Sequence, residues 1–176
     1  MKNFSITPIE IIKSFTKNRS LIYQMSKREV VGRYKGSLMG LLWSFFNPAL
    51  MLVIYTFVFS IIFKARWPGV TNNLEFAGIL FAGLIIYSLF SECISRSPSL
   101  ILSNVNYVKK VIFPLEILSW IALGSSLFHA SVSVIVLLGF MLFLTGGLHW
   151  TVVLFPLVIF PLLLLTMGIS WILASL

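Results

Sequence analysis

The chain has 176 residues, 59% of them hydrophobic and only 10% charged, where a soluble domain carries about 25%. That departure argues against a soluble enzyme or binding domain and for a membrane protein. The net charge of +8 does not indicate a nucleic-acid binder, because eight of the 13 Lys and Arg precede Leu38 and the others flank apolar runs, as basic residues do beside a membrane. Cys93 is the only cysteine, so no intramolecular disulfide can form.

Residues 1–37 form a polar N-terminal segment. Thr7-Pro8-Ile9-Glu10 has a helix-start pattern: a Thr cap, Pro at the first helical position and Glu three residues after the cap. Ile9, Ile12 and Phe15 fall on one face of a short helix, and a second helix is expected from near Asn18. Its apolar residues make no single stripe, since Leu21, Ile22 and Met25 point one way and Val30, Val31 and Tyr34 another. A bent helix, half on the membrane and half against protein, fits both faces. Gly32 and Gly36 permit a sharp turn into the first apolar run. That run starts too late and is too long for a secretory signal.

Residues 38–176 read as a transmembrane domain. Four runs reach the about 20 residues a bilayer crossing needs: 38–63, 76–95, 117–144 and 150–176. The fold class is therefore all-α: a polytopic membrane protein of four transmembrane helices preceded by an amphipathic interface helix. Pro68-Gly69 turns the first connection and Gly146-Gly147 the third. The N-terminal segment and the second connection, with Arg96, Lys109 and Lys110, are the more basic ones, since the first connection has only Lys64 and Arg66 and the third has none. The positive-inside rule places both in the cytoplasm. Trp43, Trp67, Trp120, Trp150 and Trp171 lie near span ends, where an aromatic belt is expected.

The residues offer no catalytic site. Five acidic residues and two histidines form no metal-ligand cluster, no Ser-His-acid set can be argued, and "GRYKGS" has the wrong order and spacing for a phosphate-cradling loop. Glu92 and Arg96 share a helix face, and a local ion pair near the membrane surface is favoured over a functional charge. For His129, a hydrogen-bonded packing role is favoured over a proton relay. Ala122, Ser126 and Ala130 recur every four residues, the spacing of a close helix contact. The first span is rich in aromatics. Lipid-facing rings are the ordinary case, but Trp43, Phe46 and Phe57 share a face that could offer stacking surface to sugars in a channel. Residues 98–116 hold a short apolar helix pattern, two lysines and a Pro. They fit equally a partner-docking element and a plain amphipathic loop.

Two stretches carry a family resemblance. "REVVGRYKGSLMGLLWSFFNPALMLVIYTFVF" (28–59) and "NYVKKVIFPLEIL" (106–118) resemble the approach to the first span and the first cytoplasmic loop of type 2 ABC exporter permeases. The likeness is to the branch exporting O antigens (the lipopolysaccharide glycan), capsules and teichoic acids. It implies a multi-pass protein of the bacterial inner membrane that is not an enzyme and has no cofactor of its own. ATP and magnesium would be bound by a separate ABC ATPase chain. Two permease copies would form a homodimeric path for a glycan among membrane lipids. The ATPase-coupling segment would be Asn104, Tyr107, Lys109, Lys110, Phe113, Pro114 and Glu116. The interface helix, within 18–35, would include Arg28, Glu29, Arg33 and Tyr34. Family members usually have six spans, so this chain is expected to be a fragment, a truncated gene or one part of a split permease. The rival readings are a non-transporting scaffold or decayed permease and, less favoured, a membrane-embedded transferase.

Overall fold

The computed structural model describes residues 14–63, 73–104, 114–147 and 150–175, and among these every regular element is a helix. Among the described residues four stretches are long and apolar enough to cross a membrane: Gly40–Ile62, Leu74–Ser103, Ile117–Leu144 and Trp150–Ser175. Coupling segment residues Tyr107, Lys109, Lys110 and Phe113, Trp67 of the first connection and the Thr7-Pro8 cap lie outside the described residues.

Helix α1 (Arg19–Tyr34) starts after Asn18, whose side-chain amide donates to the Ser14 carbonyl at 3.0 Å. It ends at Lys35, and the chain then turns through Gly36 at φ +94° and Gly40 at φ +52°. A side chain in that left-handed region is strained by roughly 1–2 kcal/mol, so glycine is the residue that allows α1 to lead directly into the first span. Gly32, the other expected hinge, lies inside α1.

The first span joins a 3₁₀ turn (Gly40–Leu42), α2 (Trp43–Tyr55) and a π-helical stretch (Thr56–Ile62). Pro48 lies inside α2 and cannot donate to the carbonyl four residues earlier, that of Ser44. The buried side of α2 carries Ser44 and Leu52, and the other side is open.

The second span is longer than the apolar run 76–95. It comprises α3 (Asn73–Arg96), a 3₁₀ turn containing Pro98 (Ser97–Ser99) and α4 (Leu100–Ser103). Pro98 stands at the start of a turn, where its missing N–H costs nothing, so the helical path continues through it. Ala77, Phe81, Ile85, Leu89 and Cys93 recur every four residues along α3, and all are buried. Ser97 continues that line: its Oγ donates to the Cys93 carbonyl at 2.7 Å and lies 2.7 Å from Ser170 Oγ.

Helix α5 (Ile117–Thr145) forms the third span and closes on Gly146 at φ +67°, whose N–H bonds to the Leu142 carbonyl at 3.0 Å. Ala122, Ser126 and Ala130 on its small-residue face are all buried. The fourth span is a 3₁₀ turn (Trp150–Leu154) followed by α6 (Phe155–Ser175). Leu52, Phe81, Ile85, Leu89, Ala130 and Val136 form the main core, shared by the first three spans. Leu123 and Met167 pack with Cys93 in a second core joining α3, α5 and α6. Phe143, Leu157 and Trp150 are examples of large apolar side chains left on the outside, as expected where lipid is the solvent.

Candidate functional site

Helix α1 is not a detached surface helix. Ile22 packs on Ile117, Leu118 and Ile121, and Ser26 Oγ donates to the Ile121 carbonyl at 3.2 Å. Close approach is possible because residue 124 is glycine: a Cβ there would lie 2.6 Å from Ser26 Oγ. Further along, the Tyr34 ring meets His129 edge-on with centroids 6.0 Å apart. These contacts make α1 run parallel to the first half of α5.

Against α3 the same helix runs antiparallel, and here the charges meet. Glu29 pairs with Arg96, and Arg33 pairs with Glu92. Each helix carries a glutamate and an arginine four residues apart, with the glutamate first. Antiparallel pairing of two such helices brings the glutamate of each to the arginine of the other. Arg96 Nη1 also lies 3.7 Å from Glu92 Oε1, so the local pair expected from sequence exists, but it is one edge of a larger network. The cross-helix pairs extend the local pair read from the sequence.

His129 on α5 completes the group. Its Nδ1 lies 3.5 Å from Glu92 Oε2 and 3.3 Å from Arg33 Nη1. With the proton on Nδ1 the ring donates to Glu92 and makes no bond with the Arg33 guanidinium, which donates to Glu92 instead, and Nε2, which is buried without a partner among the described residues, is left as an unfilled acceptor. That is less costly than an unpaired buried donor. The ring therefore orients the Glu92 carboxylate between three helices. Burial raises the Tyr34 phenol above its ordinary range against the lowering pull of Arg33, so it stays neutral beside this network.

The network lines a cavity of about 360 Å³ with a partly polar wall between the first three spans. Ser44, Asn47, Tyr55, Ser88, Ser126 and Ser133 supply hydroxyl and amide groups to its wall. Trp43, Phe46 and Phe57, the aromatics singled out from sequence, do not line it. They are about half exposed on the side of the first span turned away from the bundle. Arg28 faces a smaller cavity of about 200 Å³ together with Glu29, Arg96 and Asn104, which brings α1 next to the end of α4.

Asn104 closes α4 by donating from its side-chain amide to the Leu100 carbonyl at 2.8 Å. The Pro114 carbonyl accepts from the Ile117 N–H at 3.2 Å, and Glu116 occupies the cap position of α5 without a side-chain capping bond. Trp120 and Trp171 stack edge-on at 5.8 Å, and Trp120 also meets Phe15 at 4.5 Å. These two tryptophans, half-buried, are joints between helices, whereas Trp43 and Trp150 are exposed. The polar part of the cavity wall was not foreseen, because isolated Ser, Asn and Tyr in apolar runs give no signal until helices bring them together.

The architecture, a helical domain with four membrane-length spans among the described residues, tied at one end by a partly exposed charge network, is that of a multi-pass membrane protein. Residues 20–176 match the ABC-2 type transporter family, and the chain belongs to it. The O-antigen export system permease protein RfbA of Myxococcus xanthus is 28% identical over 167 residues, covering 95% of this chain and 62% of that protein. Two proteins of the same name from Klebsiella pneumoniae are 29% and 27% identical over 158 residues, covering 89% of this chain and 58% of each. The chain thus spans about three fifths of the length of these relatives.

Proposed function

We propose that this chain serves as membrane subunit of an ATP-driven exporter that passes an O-antigen-type polysaccharide across the bacterial inner membrane, with its N-terminus in the cytoplasm. The observation that carries this reading is the family membership together with three relatives that are each an O-antigen export permease and match 89–95% of the chain. In the proposed assembly two permease copies form the path, and a separate ATPase chain binds ATP and magnesium. Residues 104–116, which connect the second and third spans, receive the ATPase's motion. The charge network then carries that motion to α1, because Arg96 and Glu92 lie on the span leading into that segment and are paired to Glu29 and Arg33. The chain contributes binding and movement and no covalent chemistry.

Deletion of the gene in its own host tests this. Surface polysaccharide should be lost while finished lipid-linked glycan accumulates on the cytoplasmic face, and a plasmid copy should restore export. Unchanged surface polysaccharide in the deletion strain would remove the export reading and favour a scaffold role.

A further inference from the structure

A second cavity, an apolar groove of about 680 Å³, lies between α1, α5 and α6, on the other side of α1 from the charge network. One face of α1 lines it: Arg19, Ile22, Tyr23, Ser26, Lys27 and Val30 recur at the three- and four-residue steps of a single helical stripe. The far wall is apolar and comes from the spans, with Leu123, Leu127, Phe128, Phe160, Leu164 and Met167. None of the lining residues is acidic, and neither Arg19 nor Lys27 takes part in an ion pair among the described residues.

The groove has a polar and an apolar end. Phe15 meets Trp120, so Arg19 sits beside the start of α5, where the span begins. Tyr34 meets His129, so the other end of α1 lies deeper along the bundle. Helix α6 runs back the opposite way, with Trp171 at Trp120 and Leu163 near Leu127, which places Phe160 at the deep end. Arg19 and Lys27 stand about 12 Å apart along α1 at the helical rise, and a lysine stem can reach back toward the surface. Cations at the span's start and apolar walls beneath them match the long axis of a phospholipid.

We propose that this groove is a binding site for an anionic membrane phospholipid, its phosphodiester held between Arg19 and Lys27 and one acyl chain lying against Phe128, Phe160 and Leu164. Charge complementarity selects the headgroup, and the membrane setting supplies the chain. The lipid would fill the gap under α1 on the side where no ion pair fastens it. The inference needs only the membrane-spanning fold and is independent of what the protein exports.

The test uses the full-length protein in phosphatidylcholine nanodiscs containing a small fraction of photoreactive phospholipid, with the reactive group on the acyl chain and either a phosphatidylglycerol or a phosphatidylcholine head. The phosphatidylglycerol probe should label peptides covering 120–128 and 160–167 about tenfold more than the phosphatidylcholine probe, the preference expected of two near-surface cations. The Arg19→Gln, Lys27→Gln double variant should label equally with both probes while remaining inserted. Equal labelling of the wild-type protein by both probes would mean ordinary contact with bulk lipid and overturn the site. No labelling of these peptides while the exposed Phe143 region labels would mean that polypeptide fills the groove, which also overturns it. A long-chain isoprenyl diphosphate that displaced the probe better than unlabelled phosphatidylglycerol would assign the groove to a different lipid and overturn the proposal as stated.

Discussion

Glu29, Arg33, Glu92 and Arg96 illustrate how little a charge costs when its partners are fixed in advance. An unpaired ion costs several kcal/mol when fully buried and less at these side chains, which keep 22–39% exposure, and here each glutamate faces an arginine across a helix–helix contact. The arrangement predicts the outcome of charge reversal. Glu29→Arg sets two arginines against each other at a position where the pair is only 25–29% exposed, and should destabilise the protein by about 1–3 kcal/mol. Arg96→Glu should do the same. The Glu29→Arg, Arg96→Glu double variant restores the cross-helix pair but sets like charges one turn apart on each helix, a new carboxylate beside Glu92 and a new guanidinium beside Arg33. It should therefore recover part of the loss and not all of it. Thermal unfolding in detergent checks this, and additive losses in the double variant would refute the pairing. These residues were visible in the sequence as individual charges. Their partnership was not, because a salt bridge between residues 67 positions apart depends on helix direction and register, which apolar periodicity does not specify. Two glutamate–arginine pairs with the same four-residue spacing were the available signal.

At the scale of elements, most boundaries followed from the length of apolar runs and from glycine. The third span begins after Pro114 and stops at Gly146, as hydropathy and turn chemistry suggest. The helical stretch of the second span runs past the apolar run 76–95 because that run ends at Arg96 and Pro98, whereas the helix continues by pairing its charges and placing the proline at the first turn of a new segment. The path of α1 was also hidden. Residues of both apolar groups, Ile22 and Tyr34, meet α5 while Glu29 and Arg33 turn to α3, and this docking depends on Gly124. Gly124→Val should force α1 off α5, with an overpacking cost of about 1–3 kcal/mol. The milder Gly124→Ala should displace the Ser26 hydroxyl from the Ile121 carbonyl, and adding Ser26→Ala should recover much of that loss. Limited proteolysis at Lys27 and Arg28 reads the docking of α1: faster cleavage in Gly124→Val than in the wild type is the expected result, and equal rates would show that α1 does not depend on this contact.

For the whole molecule, the proposed topology and the proposed coupling stand on the same segment. With the N-terminus inside, Lys109 is cytoplasmic and Gly147 outside. In a Cys93→Ser background, Gly147→Cys should react with a membrane-impermeant thiol reagent in intact cells and Lys109→Cys should not. Reaction of Lys109→Cys from outside would invert the arrangement. On that topology residues 104–116 are presented to the cytoplasm between two firmly held ends: Asn104, bonded to Leu100 at the end of α4, and Ile117, which is fully buried at the start of α5. In the proposed coupling a push on this segment is delivered to both spans, and through Arg96 and Glu92 to α1. Aromatic side chains carry much of the energy at the centre of protein interfaces, whereas rim charges tune association more than affinity. Phe113→Ala and Tyr107→Ala should thus reduce recovery of the ATPase in detergent pull-downs by tenfold or more, the effect of about 2 kcal/mol at an interface anchor. Lys109→Ala should change it by less than about threefold, as expected of a charge at the rim. Membrane insertion should be unaltered in all three. Glu29→Arg makes the complementary case, because it lies outside the segment and breaks the link behind it: ATPase recovery should stay near the wild-type level while polysaccharide export falls. Full export and full ATPase recovery in both aromatic variants would reduce residues 104–116 to a connection, and loss of ATPase binding in Glu29→Arg would place the contact surface on α1 instead.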